Sequence, residues 1–167
     1  MNSATPFASV RLFTTGVYGK TAEQFFDPLI VNHIDTFCDI RRRRGLRGPL
    51  YAFANSQRLQ AKLSSLGITY HHFLDLAPSD GIRMAQSIHD ESAGVGKRSR
   101  IQLSEEFTRL YTEECLAHFN STEFMRRLGP DSHNVVLFCV EAEPAACHRS
   151  LVADRLSREL TIPVINL

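Results

Sequence analysis

The sequence predicts an α/β protein, one domain built on an open, mainly parallel sheet with helices on both faces. Two observations carry that expectation. Short β-branched and apolar runs recur along the chain and are separated by stretches with helical periodicity, the alternation from which parallel sheets covered on both sides are built. The composition, 43% hydrophobic and 22% charged over 167 residues, is that of a globular chain able to bury a core without metals or disulfides.

The elements follow in order. Val10–Thr14 reads as a strand ending at Thr15 and Gly16, and Thr21 with Gln24 makes a capping box for a first helix whose Phe25, Phe26, Leu29 and Ile30 face inward. Pro28 is expected to kink or shorten that helix. Ile34–Ile40 reads as a second strand, followed by the loop "RRRRGLRGP". Asn55 or Ser56 caps a helix carrying Leu59, Leu63 and Leu66 on one face, Gly67 stops it, and "ITYHHF" is the third strand.

Between Leu74 and Ser104 the pattern weakens, with Pro78, Gly81, Gly94 and Gly96 interrupting it, and only a short helix over 84–89 is expected. A long irregular segment in a compact domain suggests a lid or binding loop over 78–104. Phe107, Leu110, Tyr111, Cys115 and Phe119 then give an amphipathic helix, and a shorter one spans Thr122–Leu128 before Gly129. The chain closes with the apolar strand Val135–Val140, a loop, a helix over His148–Leu160 and the short strand "PVINL".

The apolar runs are far shorter than the roughly 20 residues that cross a bilayer, and no charged-then-apolar leader stands at the N-terminus, so a cytoplasmic protein with no membrane partner is expected. Cys38, Cys115, Cys139 and Cys147 lack the density of a disulfide scaffold and are expected to be reduced. The net charge is only +1, yet Arg41, Arg42, Arg43, Arg44 and Arg47 crowd one loop, with a second group at Lys97, Arg98 and Arg100. A polyanion would meet a local patch here.

In open α/β folds the binding crevice lies beyond the carboxyl ends of the strands. That rule gathers Thr15 and Gly16 from the first strand, Asp39 and Arg41 from the second, His71 or His72 from the third, and Cys139, Glu141 and the Cys147-His148-Arg149 triplet from the fourth. At the mouth of a helix, Cys147 would find its thiolate stabilised, Arg149 would hold a phosphate or carboxylate, and His148 would transfer protons near neutral pH. Cys139, Cys147 and His148, completed by Glu141, also offer zinc ligands, but the spacing is not a common zinc pattern and adjacent Cys147 and His148 need an awkward turn to share an ion. No cofactor is favoured on these grounds.

The stretch "FCVEAEPAACHRSLVADRL" resembles the signature of the Domain of Unknown Function 488 family, in which a Cys-x-Glu step and a Cys-His-Arg triplet open a helix. "LFTTGVYGKTAEQF", "CDIR" and "YAFANSQRLQAKLSSLGITYHHFLDLAP" are similar to other segments of that family. The resemblance implicates Thr15, Gly16, Asp39, Arg41, Tyr70, Cys139, Glu141, Cys147, His148 and Arg149. Two departures stand out: Val17 and Tyr18 replace a usual His-Ser, and the family's common proline-containing arginine loop appears as "RRRRGLRG".

An enzyme acting on a phosphate-bearing nucleotide or nucleic acid is therefore expected. Its anion would be held by Thr15, Gly16, Arg41, Tyr70 and Arg149, and its chemistry carried by Cys147, His148, Asp39 and Glu141. A tyrosine-phosphatase or rhodanese loop is excluded, because neither Cys139 nor Cys147 has an arginine six positions later. Two other classes compete: a non-catalytic module binding nucleic acid through Arg42, Arg43, Arg44 and Arg47, and a structural zinc domain.

Overall fold

The computed structural model of the protein describes Phe7 and residues 9–167. Among these, five strands pair in parallel in the order β3-β2-β4-β1-β5: β1 (Arg11–Thr15), β2 (Thr36–Asp39), β3 (Thr69–His72), β4 (Asn134–Phe138) and β5 (Val164–Asn166). Six helices accompany them: α1 (Ala22–Val31), α2 (Ser56–Ser65), α3 (Asp80–Ala93), α4 (Glu105–Glu114), α5 (Ser121–Leu128) and α6 (His148–Leu160). No helix among the described residues is long and apolar enough to cross a membrane.

Successive strand residues alternate between faces, and this alternation sorts the helices. Phe13 and Phe37 are both in register with Val136, so with Phe138 they look to one side. There Phe25 of α1 meets the rings of Phe37 and Phe138 at 6.3 and 5.3 Å between centroids, and Lys62 of α2 lies over Phe26. Thr14 looks to the other side, where it meets Arg149 of α6, and α4 and α5 pack against α6 in turn.

Local chemistry sets most boundaries. Thr21 and Gln24 form both halves of the predicted capping box, and α1 runs on to Val31 with Pro28 inside it. Asn55 stands at the N-cap of α2, but its side chain accepts from Leu46 N at 2.6 Å instead of capping. With Ser56 N donating to Arg44 O at 2.9 Å, that bond ties the arginine loop to the start of α2.

The largest departure from expectation lies in 78–104. A 14-residue helix, α3, replaces the expected short one, capped by Ser79 and ended by Gly94 in the left-handed conformation, with only the stretch beyond it irregular. Its buried face is Ile82, Gln86 and Asp90, so the inner stripe is largely polar and hydrophobic periodicity does not register it. Gln86 bonds Asp90 and the backbone N–H of Ser104, and Arg100 grips Asp90 with two nitrogens. Met84 and Ile88 are outside, 64% and 61% exposed.

The strand order places the site. β4 lies between β2 and β1, whose following helices cover one face, while the chain leaving β4 turns to α6 on the other. Neighbouring strands whose connections part to opposite faces leave a crevice above their carboxyl ends.

Candidate functional site

The ladder outlasts the strands by a residue or two. Cys139 N donates to Thr15 O at 3.3 Å and Ile40 N to Phe138 O at 3.2 Å, while Val140 O accepts from Val17 N and Tyr18 N. Cys139 and Val140 are thereby tied to β1 and the turn after it. A 3₁₀ turn over Pro144–Ala146 then carries the chain to Cys147, the N-cap of α6. Between this loop and the Arg41–Arg47 loop opens a cleft of about 720 Å³, with α3 and the 97–103 stretch along its side.

Cys139, Cys147 and His148 meet at its floor. His148 Nδ1 is 3.9 Å from Cys139 Sγ and 4.0 Å from Cys147 Sγ, and the three donor atoms all lie within 4.8 Å of one another. The adjacency that looked awkward in sequence is resolved by the helix boundary. Cys147 keeps extended backbone (φ −138°, ψ 140°) and makes no side-chain cap bond, while His148 is the first helical residue, so the two side chains converge. His148 Nε2 lies 3.1 Å from the Ile40 carbonyl oxygen, which accepts its N–H and leaves Nδ1 aimed at the sulfurs. Glu141 completes the floor, its Oε2 3.5 Å from Cys139 Sγ.

Burial and mutual contact split the acidities. Burial alone would push the Cys147 thiol up, but the hydrogen bond from Cys139, the bond and charge of His148, and the charge of Arg149 hold it well below the ordinary thiol value. Cys139 is pushed well up, by its bond to Cys147 and by burial. Burial would lower His148, and its bond and charge attraction to Cys147 raise it instead. Burial, then the Cys147 charge, pushes Glu141 up to about 7. The shifts thus run in opposite directions, Cys147 down and His148 up, which favours a charged pair at the floor beside a carboxyl raised to about 7.

The wall is cationic and partly apolar. Arg42, Arg43 and Arg47 are exposed and line the cleft with Lys97 and Arg98, opposed by few acids, and Met84 and Ile88 of α3 face the same space. Arg98 lies over the rings of Tyr18 and Tyr51, 5.3 and 5.6 Å from their centroids, which fixes the end of the 97–103 stretch.

Several residues expected to bind or react lie elsewhere. Asp39 is fully buried and outside the lining. Its Oδ1 accepts from Arg41 N and Nε, and its Oδ2 from Arg41 Nη2 and Tyr70 OH, so the carboxylate is spent on holding Arg41. Arg41 reaches the cleft edge, but its guanidinium also donates to Ala54 O and stacks 4.5 Å from Phe138. Arg149 is 1% exposed and donates to Thr14 Oγ1, Glu141 O and Ala142 O, so its fork closes the 141–142 loop from behind and does not face a ligand. Thr15 bonds Lys20 and Gly16, and Tyr70 stacks on Phe37 and accepts from Arg44, whose side chain thereby turns away from the lining. Gly16 touches the backbone of Glu141. His72 binds the Arg41 carbonyl, and His71 leaves Nε2 buried with no partner among the described residues.

Arg100 was missed as a site residue. It lines the cleft, grips Asp90, and brings Nη1 to 3.8 Å from Glu141 Oε1, which links α3 to the floor. The only sequence sign was its place in the basic group with Lys97 and Arg98.

No curated protein and no solved structure matches the chain. A family model described as "Domain of unknown function DUF488" matches residues 21–156, from the cap of α1 to Leu156 in α6, and so covers the arginine loop and the whole Cys-Glu-Cys-His floor. The chain belongs to the DUF488 family.

Proposed function

We propose that the protein is an enzyme acting on a phosphate-bearing substrate, a nucleotide or nucleic acid, with catalysis that depends on the Cys147 thiolate. One observation carries this reading: the sulfur of Cys147, paired with His148 and Cys139, faces the same cleft whose rim carries Arg42, Arg43 and Arg47. Exposed guanidinium groups suit phosphate oxygens. Glu141, near neutrality and beside the sulfurs, is the proton-transfer group. A non-catalytic binding module would need the arginines and not the floor, and a buried thiolate is a costly thing to keep for stability alone.

The test is alkylation of Cys147 by iodoacetamide in chelator-treated protein, followed across pH with and without inorganic pyrophosphate and located by peptide mapping. Reaction that persists well below the ordinary thiol pKa of about 8.5, and that pyrophosphate slows, supports the reading. An ordinary titration without protection overturns it.

A further inference from the structure

We propose that Cys139, Cys147 and His148 form a binding site for zinc, with the fourth coordination position open to the cleft. The inference rests on the reading above in placing the chemistry at this floor, and it says what the thiolate is for.

The donor geometry is close to complete without the ion. Ligands about 2.0–2.3 Å from a tetrahedral centre stand roughly 3.5–3.8 Å apart, and His148 Nδ1 lies 3.9 and 4.0 Å from the two sulfurs. The imidazole is already oriented as a ligand. Ligating histidines give their second N–H to a carbonyl or carboxylate, which fixes the tautomer, and here Nε2 faces Ile40 O at 3.1 Å while Nδ1 is left for the sulfurs. Cys147 is spared from capping its own helix, so its sulfur has no competing role there. Two thiolates neutralise a divalent cation, which gives this 1–6% exposed cluster a charge balance that suits burial.

The site is not closed. Three protein donors with cleft on the remaining side match the pattern of zinc centres that hold a water, whereas structural sites use four protein ligands. Glu141 lies outside the three-donor group, with Oε2 3.5 Å from one ligand sulfur, and is held on its far side by Arg100. Two cysteines, a histidine and a glutamate that stays off the metal form a donor set that activates water. The reaction class is hydrolysis: water bound at the open position gives a proton to Glu141, its oxygen bonds to the electrophilic atom of the substrate, the bond to the leaving group breaks, and Glu141 returns the proton to that group. No oxidant or reductant enters.

Full-length protein purified from zinc-supplemented medium and dialysed is expected to hold about one zinc per chain by elemental analysis. Cobalt(II) added to the stripped protein is expected to give sulfur-to-cobalt charge-transfer bands and the strong visible bands of a tetrahedral centre. Cys139→Ser and His148→Gln should lose both readouts with circular dichroism unchanged. Glu141→Gln should keep the cobalt spectrum, and carries the test if the ligand variants misfold. Wild-type protein that holds no stoichiometric zinc and shows no charge-transfer band on cobalt addition overturns the inference. If Cys147 still alkylates at low pH in that protein, the thiolate reading survives alone; if zinc binds but pyrophosphate neither binds nor protects, the metal site survives and the phosphate substrate falls.

Discussion

Gly16 and Glu141 are in backbone contact so close that a β-carbon on Gly16 would stand 1.9 Å from the Glu141 carbonyl oxygen. That oxygen also accepts from Arg149 Nη1 at 2.6 Å. The turn after β1 thus supports the floor by lacking a side chain, and the φ of Gly16 is not what requires glycine there. Gly16→Ala must push back a backbone atom. A destabilisation of about 1–3 kcal/mol, the usual cost of overpacking, is expected in urea unfolding. Because the displaced segment carries Glu141, Cys147 alkylation should change with it; an unchanged rate would show that the turn does not position the floor.

The buried pair of Asp39 and Arg41 is the support of the other wall. Arg41 Nη2 is 2.7 Å from Asp39 Oδ2, and both side chains are essentially inaccessible. Removing one partner of a buried pair strands the other's charge. Asp39→Ala is expected to cost about 3–5 kcal/mol by chemical denaturation. Tyr70→Phe, which removes one hydrogen bond to the same carboxylate and a long one from Arg44, should cost about 1 kcal/mol. Equal costs would show that the ion pair contributes no more than the phenol.

Much of this was legible in the chain. The bounds of α6 agree with the structure at both ends, because Leu151, Val152, Leu156 and Leu160 repeat at helical spacing from a polar start. The Cys139, Cys147 and His148 grouping followed from the strand-end rule. What stayed hidden had specific causes. α3 turns Gln86 and Asp90 inward and Met84 and Ile88 outward, which inverts the pattern that marks a helix. Arg149 has the chemistry of an anion clamp, but two of its acceptors are the backbone carbonyls of Glu141 and Ala142, which no residue type announces. Asp39 and Arg41 sit two positions apart at a strand end, where sequence could not separate a structural pair from a reactive one.

The arginine rim should govern anion affinity without governing stability. Arg42, Arg43 and Arg47 are exposed, and the ion pair of Arg42 with Asp80 is a loose 4.0 Å, so their replacement by Ala is expected to move the unfolding midpoint little. Binding of a 5′-phosphorylated oligonucleotide should weaken for each variant, and the dependence on salt should become shallower by roughly one unit for every phosphate that is no longer neutralised. Arg58→Ala is the control, being exposed on α2 and outside the lining. Equal weakening by Arg58→Ala and by the rim variants would mean diffuse attraction and no site.

The carboxyl of Glu141 should leave a signature in the pH dependence of stability. Burial, then the Cys147 charge, raises it from an ordinary 4.5 to about 7. Between those values the folded protein holds a proton that the unfolded chain has released. Stability from this group is therefore full below pH 4.5 and is lost as pH rises through about 7, with a slope of at most about 1.4 kcal/mol per pH unit. His148, also raised, acts in the same direction through its own range, and Cys147, held low, acts in the opposite one, so the raw profile mixes several groups. Glu141→Gln keeps the shape and removes one titration. The stability of chelator-treated Glu141→Gln relative to wild type is expected to climb from pH 4.5 to about 7 and then level off. A difference that stays flat over that interval would mean that Glu141 is solvated and ordinary, and its assignment as the proton-transfer group would fall with it.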